Sequence, residues 1–389
     1  MSMTVGCWLV PGLLLALLGS ACSDPASASD QSVAGSSGSG GVPSGSAGAG
    51  GAPSGAGASG NSNAGTGSSG AAGLSGVAGS AGQAALTLPL LATVLGGGCA
   101  IDSHDELRCW GSGQSTMAPF PTPPKGPFKA VAGGSEVCGL GASGSLSCFA
   151  PPDLLVGDLS DNLKNGTFSQ VVVGLVVCAL DAQGLAACQT SAGIVQPPTD
   201  PFSRIAVGNR NGCGIRKSDQ SIVCWGSNAL ICSDAMQLDI GLTKPPSGSF
   251  VEIASADTNS CAIRSDGTLA CWGAGSPGNN DPSVLCGKAR LNYGQSMPPS
   301  GTFKKLSLSP HHACAIRTDG TLACWGAGTI DQDCMGGNLD LCGQSLPPTG
   351  KFEQVSVSWF FSCAMRADHS LACWGANGLG QSTPPLDFP

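Results

Sequence analysis

From Cys314 to Trp325 the chain reads CAIRTDGTLACW, with apolar residues on alternate positions either side of Thr318-Asp319-Gly320. Alternation at period two predicts strands. A three-residue turn ending in Gly predicts that the two strands form a hairpin, because the last turn position needs a left-handed backbone. The register follows. Arg317 opposes Thr321, Ile316 opposes Leu322, Ala315 opposes Ala323, and Cys314 opposes Cys324. Both faces are apolar, with Cys314, Ile316 and Leu322 on one and Ala315, Ala323 and Trp325 on the other. Such a sheet is expected to be packed on each side rather than open to water.

The same pattern recurs. Cys99/Cys109, Cys138/Cys148, Cys178/Cys188, Cys213/Cys224, Cys261/Cys271, Cys314/Cys324 and Cys363/Cys373 are seven pairs, each ten or eleven positions apart. In an antiparallel ladder such partners sit about 4.5–5.5 Å apart at Cα, which a disulfide accepts. Zinc sites use closer pairs, so cross-strand disulfides are the expectation and no metal site is predicted. Gly144, Gly184 and Gly267 fall at the turn position of Gly320, and Asp105 and His369 take it in the first and last copies. The fourth copy is one residue longer, with Lys217 to Gln220 as its loop.

Upstream of each pair lies a second strand, Phe-x-x-(Val/Ile/Leu), beginning at Phe128, Phe168, Phe202, Phe250, Phe303 and Phe352, with Leu91 in the first copy. Downstream come Cys-Trp-Gly (Trp110, Trp225, Trp272, Trp325, Trp374), a turn-rich stretch and a Pro-Pro pair. Proline cannot serve a central ladder, so the Pro-Pro segments are expected at an outer edge or in extended connections. One small sheet of three or four strands cannot bury both its faces alone, whereas seven packed radially can. The predicted fold is all-β: a seven-bladed β-propeller over residues 86–389, with one cross-strand disulfide per blade.

The run CAIRTDGTLACWG and its following Gly-Gln-Ser segment resemble the repeat of the regulator of chromosome condensation family, a seven-bladed propeller. Asn377-Gly378-Leu379-Gly380-Gln381 resembles that family's Asn-x-x-Gly-Gln element. The resemblance covers about residues 86–389 and implies fold rather than function. The family includes a nucleotide-exchange factor for a small GTPase. That activity is not carried over, because the chain reads as exported and acidic.

Export is read from the N-terminus. Val5 to Leu18 is an apolar run too short for a membrane span, and 1–21 reads as a signal peptide. Gly19-Ser20-Ala21-Cys22 resembles a bacterial lipoprotein cleavage site, making Cys22 the lipidated N-terminus and the lipid the only membrane anchor. The alternative is cleavage near Ala21 and free secretion. Residues 22–85 are almost entirely Gly, Ser and Ala, with Asp24 and Asp30 the only charges. Nothing there offsets ordering entropy, so a disordered tether of average span about 40–50 Å is expected.

Of 20 cysteines, loss of Cys7 with the signal and lipidation of Cys22 leave an even number for pairing. Beyond the hairpin pairs remain Cys232, Cys286, Cys334 and Cys342. The simplest arrangement is Cys334–Cys342 and Cys232–Cys286, although four cysteines allow three pairings. This thiol content suits an oxidising compartment. A net charge of −8 with 11% charged residues argues against nucleic-acid binding.

Positions shared by the copies serve the blade, and positions that vary at one address are free for other work. The variable address lies just before the first cysteine of each pair: Gly133–Glu136, Gly208–Asn211, Ala256–Asn259, Ser309–His312 and Ser358–Phe361. In a propeller these loops share a rim, which is a common way to build a binding face. Trp359, Phe360 and Phe361 are the leading candidates, with His311, Arg210 and Asp257 beside them. The aromatic trio either anchors a partner or fills the seam between the last and first blades. Adjacent histidines on a strand point to opposite faces, so His311-His312 is not expected to bind metal. Asp331–Gly336 weakly resembles a calcium loop but lacks its closing glutamate.

No nucleophile motif stands out, and no cofactor is predicted. The sequence therefore points to a monomeric binding module at a bacterial outer membrane or cell surface, showing a propeller face to a protein partner. Alternatives are a module for glycan or cell wall and, third, a propeller hydrolase or lyase.

Overall fold

The computed structural model describes residues 88–112, 118–150, 159–189, 196–231, 237–276, 285–286, 289–290, 292–329, 342–386 and 388. The expectations for the signal peptide, Cys22, the tether, Cys232, Cys334 and the Asp331–Gly336 segment fall outside them, as does the side chain of Cys286.

Among the described residues, seven three-stranded antiparallel sheets follow one another along the chain, each built wholly from one repeat. Blade 1 comprises Leu91–Val94, Gly97–Ile101 and Leu107–Gly111. Blade 2 comprises Phe128–Gly133, Val137–Gly141 and Leu146–Phe149. Blade 3 comprises Gln170–Val173, Val177–Leu180 and Ala186–Cys188. Blade 4 comprises Phe202–Val207, Asn211–Arg216 and Ile222–Gly226. Blade 5 comprises Phe250–Ser255, Asn259–Arg264 and Leu269–Gly273. Blade 6 comprises Phe303–Leu308, His312–Arg317 and Leu322–Gly326. Blade 7 comprises Gln354–Val357, Phe361–Met365 and Leu371–Gly375. First strands touch first strands from each blade to the next, and blade 7 touches blade 1. The sheets thus form a closed β-propeller with the first strands innermost.

The hairpin registers are those predicted. Cys314 opposes Cys324, Ala315 opposes Ala323 and Ile316 opposes Leu322, and Arg317 N–H donates to Thr321 O at 2.8 Å. All seven predicted disulfides are formed: Cys99–Cys109, Cys138–Cys148, Cys178–Cys188, Cys213–Cys224, Cys261–Cys271, Cys314–Cys324 and Cys363–Cys373, with Cα separations of 4.0–4.1 Å. That spacing is tighter than expected, because alternation from the Arg317–Thr321 bonded pair makes the cysteines a close, non-hydrogen-bonded pair. Cys342 is also disulfide-bonded. The turn position has positive φ in every copy: Asp105 61°, Gly144 90°, Gly184 91°, Gln220 61°, Gly267 86°, Gly320 91° and His369 65°. In the longer fourth loop the left-handed residue is Gln220.

The two cysteines of a pair are not equally enclosed. Cys99, Cys138, Cys213, Cys261, Cys314 and Cys363, on the middle strands, are fully buried. Their partners Cys109, Cys148, Cys224, Cys271, Cys324 and Cys373 are only half-buried. These partners lie on the outermost strand of each blade. No further strand flanks it in its sheet, and adjacent blades diverge with distance from the axis, so their cover thins. Cys188 in blade 3 departs from this, being 1% exposed.

Each hairpin packs on both faces. In blade 6, Ala313, Ala315 and Trp325 join Ile263 of blade 5 in one core cluster. Ile316 of the opposite face meets Phe352 and Ala364 of blade 7. The repeated phenylalanines are buried, and Arg264, Arg317 and Arg366 lie over Phe250, Phe303 and Phe352 at 4.9–5.0 Å from the ring centres. The Pro-Pro pairs lie in connections outside the sheets.

Among the described residues, closure involves no exchange of strands. Thr93 N–H donates to Ser356 Oγ at 2.9 Å, and Ser358 Oγ donates to Val94 O at 3.2 Å. Trp110 Nε1 donates to Gln381 O at 3.0 Å. Phe388 packs with Leu91, Trp110 and Phe361 in the seam between blades 7 and 1.

Candidate functional site

The loops joining first to second strands meet their neighbours around one rim. Ser135 N–H donates to Gly174 O at 3.0 Å and Leu175 N–H to Gly208 O at 3.4 Å. Asn209 Nδ2 donates to Asp257 Oδ2 at 2.5 Å, and Thr258 Oγ1 to Pro310 O at 3.2 Å. A Cβ on Gly174 would strike the Gly208 carbonyl, and one on Gly208 the Ala256 carbonyl. Backbone approach this close explains the glycines of these loops. The variable address therefore forms a continuous, rigid surface.

On the blade 6 and 7 part of that rim, four rings gather. His311 lies 5.2 Å from Tyr293, 5.6 Å from Trp359 and 5.5 Å from Phe360, centre to centre. Trp359 and Phe360 meet edge-on at 6.1 Å. These tilted and edge arrangements are favourable for aromatic pairs. All four residues are half-buried.

The predicted trio therefore divides. Trp359 and Phe360 belong to the rim cluster, whereas Phe361 is 2% exposed and sits in the closing seam. As the first residue of a second strand, Phe361 points inward with the cysteine two positions on, so of the two readings of the trio it takes the seam. Tyr293 was not anticipated. It is the one tyrosine of the chain, at a variable position of the Asn-x-Gly-Gln segment after blade 5.

The two histidines separate as expected for neighbours on a strand. His311 joins the aromatic cluster, while His312 is fully buried, with Nδ1 3.0 Å from Ser309 Oγ and Nε2 2.8 Å from Ser362 Oγ. Burial pushes its pKa down to about 3. Asp257 is pushed up to about 6 by burial, opposed by the Asn209 hydrogen bond and by His311. Arg210 is exposed, and its carbonyl accepts from Ser227 N–H at 2.9 Å.

The half-buried cysteines Cys109, Cys224, Cys271 and Cys373 offer no chemistry of their own. Each is bonded to its cross-strand partner, so none is a thiolate nucleophile or ligand. Their part is to staple the outer strands.

The address of His312 carries buried polar residues in other blades too: Glu136, Asn211 and Asn259, each at most 5% exposed. Glu136 Oε2, both Asn211 side-chain atoms and Asn259 Nδ2 meet no partner among the described residues. Burial raises the Glu136 pKa to about 7. Its carboxylate lies within 4.8 Å of the Cys138 and Cys148 sulfurs. Those sulfurs are bonded to each other, so they are not thiolate ligands either.

The inner strands present a second polar set. Glu252 lies 3.4 Å from Arg204 and 3.6 Å from Lys305. Burial lowers the Lys305 pKa, with Glu252 opposing. The carboxylate is held between two cations, an arrangement of structural ion pairs rather than of an acid and a base set apart.

Residues 352–381 match the Regulator of chromosome condensation (RCC1) repeat. The chain is similar in structure to the CRINKLY WD40 ectodomain of the Arabidopsis thaliana receptor kinase ACR4. That likeness has a TM-score of 0.54 at 19% identity and covers 77% of this chain and 99% of the other. It is also similar to the entire ectodomain of the Physcomitrella patens receptor kinase CR4. Here the TM-score is 0.52 at 21% identity, over 74% of this chain and 73% of the other. With its seven disulfide-stitched blades, the chain is a β-propeller whose last blade matches the RCC1 repeat.

Proposed function

We propose that this chain is an exported binding module that recognises a protein partner through its loop rim, centred on Trp359, Phe360, His311 and Tyr293. The observation that carries this reading is the ring cluster itself. Three of its four rings, His311, Trp359 and Phe360, stand at the address where the copies differ. Partly exposed, mutually braced aromatic rings lose little entropy on binding and are enriched at interface hot spots. The receptor-kinase ectodomains supply a parallel for this ring fold outside the cell.

The seven hairpin disulfides among the described residues suit an oxidising compartment. Among the described residues no helix is long and apolar enough to cross a membrane. The anchoring we propose is lipidation at Cys22, with residues 22–85 as a tether holding the 86–389 propeller away from the envelope surface. The acidic composition favours a protein over a nucleic acid as partner.

The test is capture from intact envelopes with the wild-type protein and with a Trp359→Ala/Phe360→Ala variant of unchanged fold. A stoichiometric protein retained by the wild type and lost by the variant is expected. Equal retention by both would remove the cluster from the interface. Retention on purified wall polysaccharide, dependent on the same two rings, would replace the protein partner with a glycan. Turnover in a hydrolase and lyase screen would replace binding with catalysis.

A further inference from the structure

Two positions before the first cysteine of each pair, the blades carry Gly97, Glu136, Val176, Asn211, Asn259, His312 and Phe361 in turn. Blade 2 alone has an acid at this address. Glu136 is 4% exposed, and its carboxyl group lies within 4.8 Å of both sulfurs of the Cys138–Cys148 disulfide. The chain thus sets one carboxyl group beside one of seven hairpin disulfides that are otherwise built alike.

The two sulfurs differ in access, because Cys138 is fully buried and Cys148 is half-buried. An external thiolate therefore meets Cys148, and the electron pair of the breaking S–S bond goes to Cys138 Sγ. A thiolate in an apolar enclosure is costly, which makes the buried sulfur a poor leaving group. Blades 1, 4, 5, 6 and 7 share that obstacle, since Cys99, Cys213, Cys261, Cys314 and Cys363 are also fully buried behind half-buried partners. A proton delivered to the inner sulfur as the bond breaks removes the obstacle. General acids of this kind accelerate reactions by roughly 10²–10⁴-fold. Asn211 and Asn259 have no acidic proton to give, and burial keeps His312 neutral at pH 7.

Glu136 can hold such a proton at neutral pH, because burial raises its pKa to about 7. Blade 2 packs against Leu91–Val94 and Gly97–Ile101 of blade 1 and Gln170–Val173 of blade 3, and none of these strands has a titratable side chain. Within the strands of blade 2 the one charged residue is Lys129. Its Nζ donates to Ala142 O at 3.5 Å, in the hairpin turn.

We infer that Cys138–Cys148 is a thiol–disulfide exchange site for an external dithiol, with Glu136 as the general acid that protonates Cys138. The dithiol, as its monothiolate, attacks Cys148 Sγ and forms a mixed disulfide. The Cys138–Cys148 bond breaks, and Cys138 Sγ takes the electron pair and the Glu136 proton. The second thiol of the reagent, deprotonated by solvent, attacks the reagent sulfur of the mixed disulfide. Cys148 leaves as a thiolate and is protonated by water, and Glu136 regains its proton from solvent. The dithiol is oxidised to a disulfide and the cysteine pair is reduced to two thiols. Strand Leu146–Phe149 then loses its staple while the other hairpins keep theirs. This site goes beyond the rim reading and does not depend on it.

The test is reduction of the intact folded protein by dithiothreitol, quenched in acid, alkylated and mapped by mass spectrometry disulfide by disulfide. Global unfolding exposes all seven pairs alike, so the rate ratio between blades reports the native state. Cys138–Cys148 should open roughly tenfold or more faster than the pairs of blades 1, 4, 5, 6 and 7. Glu136→Gln should abolish that lead and leave the other rates unchanged. In the wild type the ratio should fall as pH rises through about 7, since the thiolate fraction of the reagent cancels in it. The ranking and its pH dependence need no variant. Reduction of Cys138–Cys148 no faster than the other five, a ratio that is flat with pH, or an unchanged ratio in Glu136→Gln would each overturn the inference.

Discussion

The indole of Trp110 in the first blade donates to the carbonyl of Gln381, 271 positions later, at 3.0 Å. This bond repeats at the end of the ring a clasp formed between blades 4 and 5, 5 and 6, and 6 and 7. Closure therefore uses the ordinary blade-to-blade contact rather than a borrowed strand. Trp110→Phe keeps most of the ring but orphans a buried carbonyl, which costs about 1–3 kcal/mol. Denaturant titration should show Trp110→Phe less stable than the wild type by that amount. Unchanged stability would show that the clasp adds nothing to closure.

The hairpin disulfides join strands that already pair, so each acts mainly on the unfolded chain. Replacing Cys314 and Cys324 together by Ala opens a loop of sequence separation 10. The expected loss is about 2–3 kcal/mol by the chain-entropy relation, read by chemical denaturation under non-reducing conditions. An unchanged midpoint would contradict that role.

Glu136 makes stability depend on pH. Its pKa is about 7 in the folded protein against 4.5 unfolded, so between these values the native state holds a proton that the unfolded state has released. Its contribution is therefore present below pH 4.5 and is lost as pH rises through 7. Allowing for solvent screening, the loss is on the order of 1–2 kcal/mol. Glu136→Gln should match the wild type near pH 4 and exceed it near pH 8, as measured by thermal unfolding across that range. A parallel pH profile for the two proteins would contradict this.

The two histidines should separate stability from recognition. His312→Ala leaves the Ser309 and Ser362 hydroxyls and a void in the core, for a cost of about 2–4 kcal/mol. The folded His312 pKa of about 3, below the usual 6.5, means its contribution is complete above pH 6.5 and is lost as pH falls towards 3. The variant should lack that slope. His311→Ala at the rim should change stability by less than about 1 kcal/mol while weakening partner binding. The opposite assignment of effects would contradict the division made here.

The blade was legible because its signals are local. The Cys314–Cys324 pair, the Gly320 turn and alternating apolar residues fix one register, and repetition fixed the number of blades. Even Asp105 and His369 at left-handed turn positions could be read by comparing copies. The unequal cover of Cys314 and Cys324 was not legible, because the two carry the same side chain in the same alternation and differ only in distance from the axis. The clasps were hidden too, because the acceptor is a main-chain carbonyl and any residue supplies one: Leu242 serves as well as Gln295. The aromatic trio was legible as a cluster but not as two groups. Only strand parity separates Phe361, which faces the seam, from Trp359 and Phe360, which face the rim. Tyr293 joins the rim from another blade's connection, a proximity that no spacing along the chain encodes.

The most direct test of the account places a photoreactive phenylalanine analogue at Trp359 on the rim or at Asp319, an exposed hairpin-turn residue, in otherwise intact protein on its native envelope. A cross-link to one protein from position 359, with none from position 319, is the predicted result. Cross-links from position 319 alone, or from both positions equally, would contradict recognition through the rim.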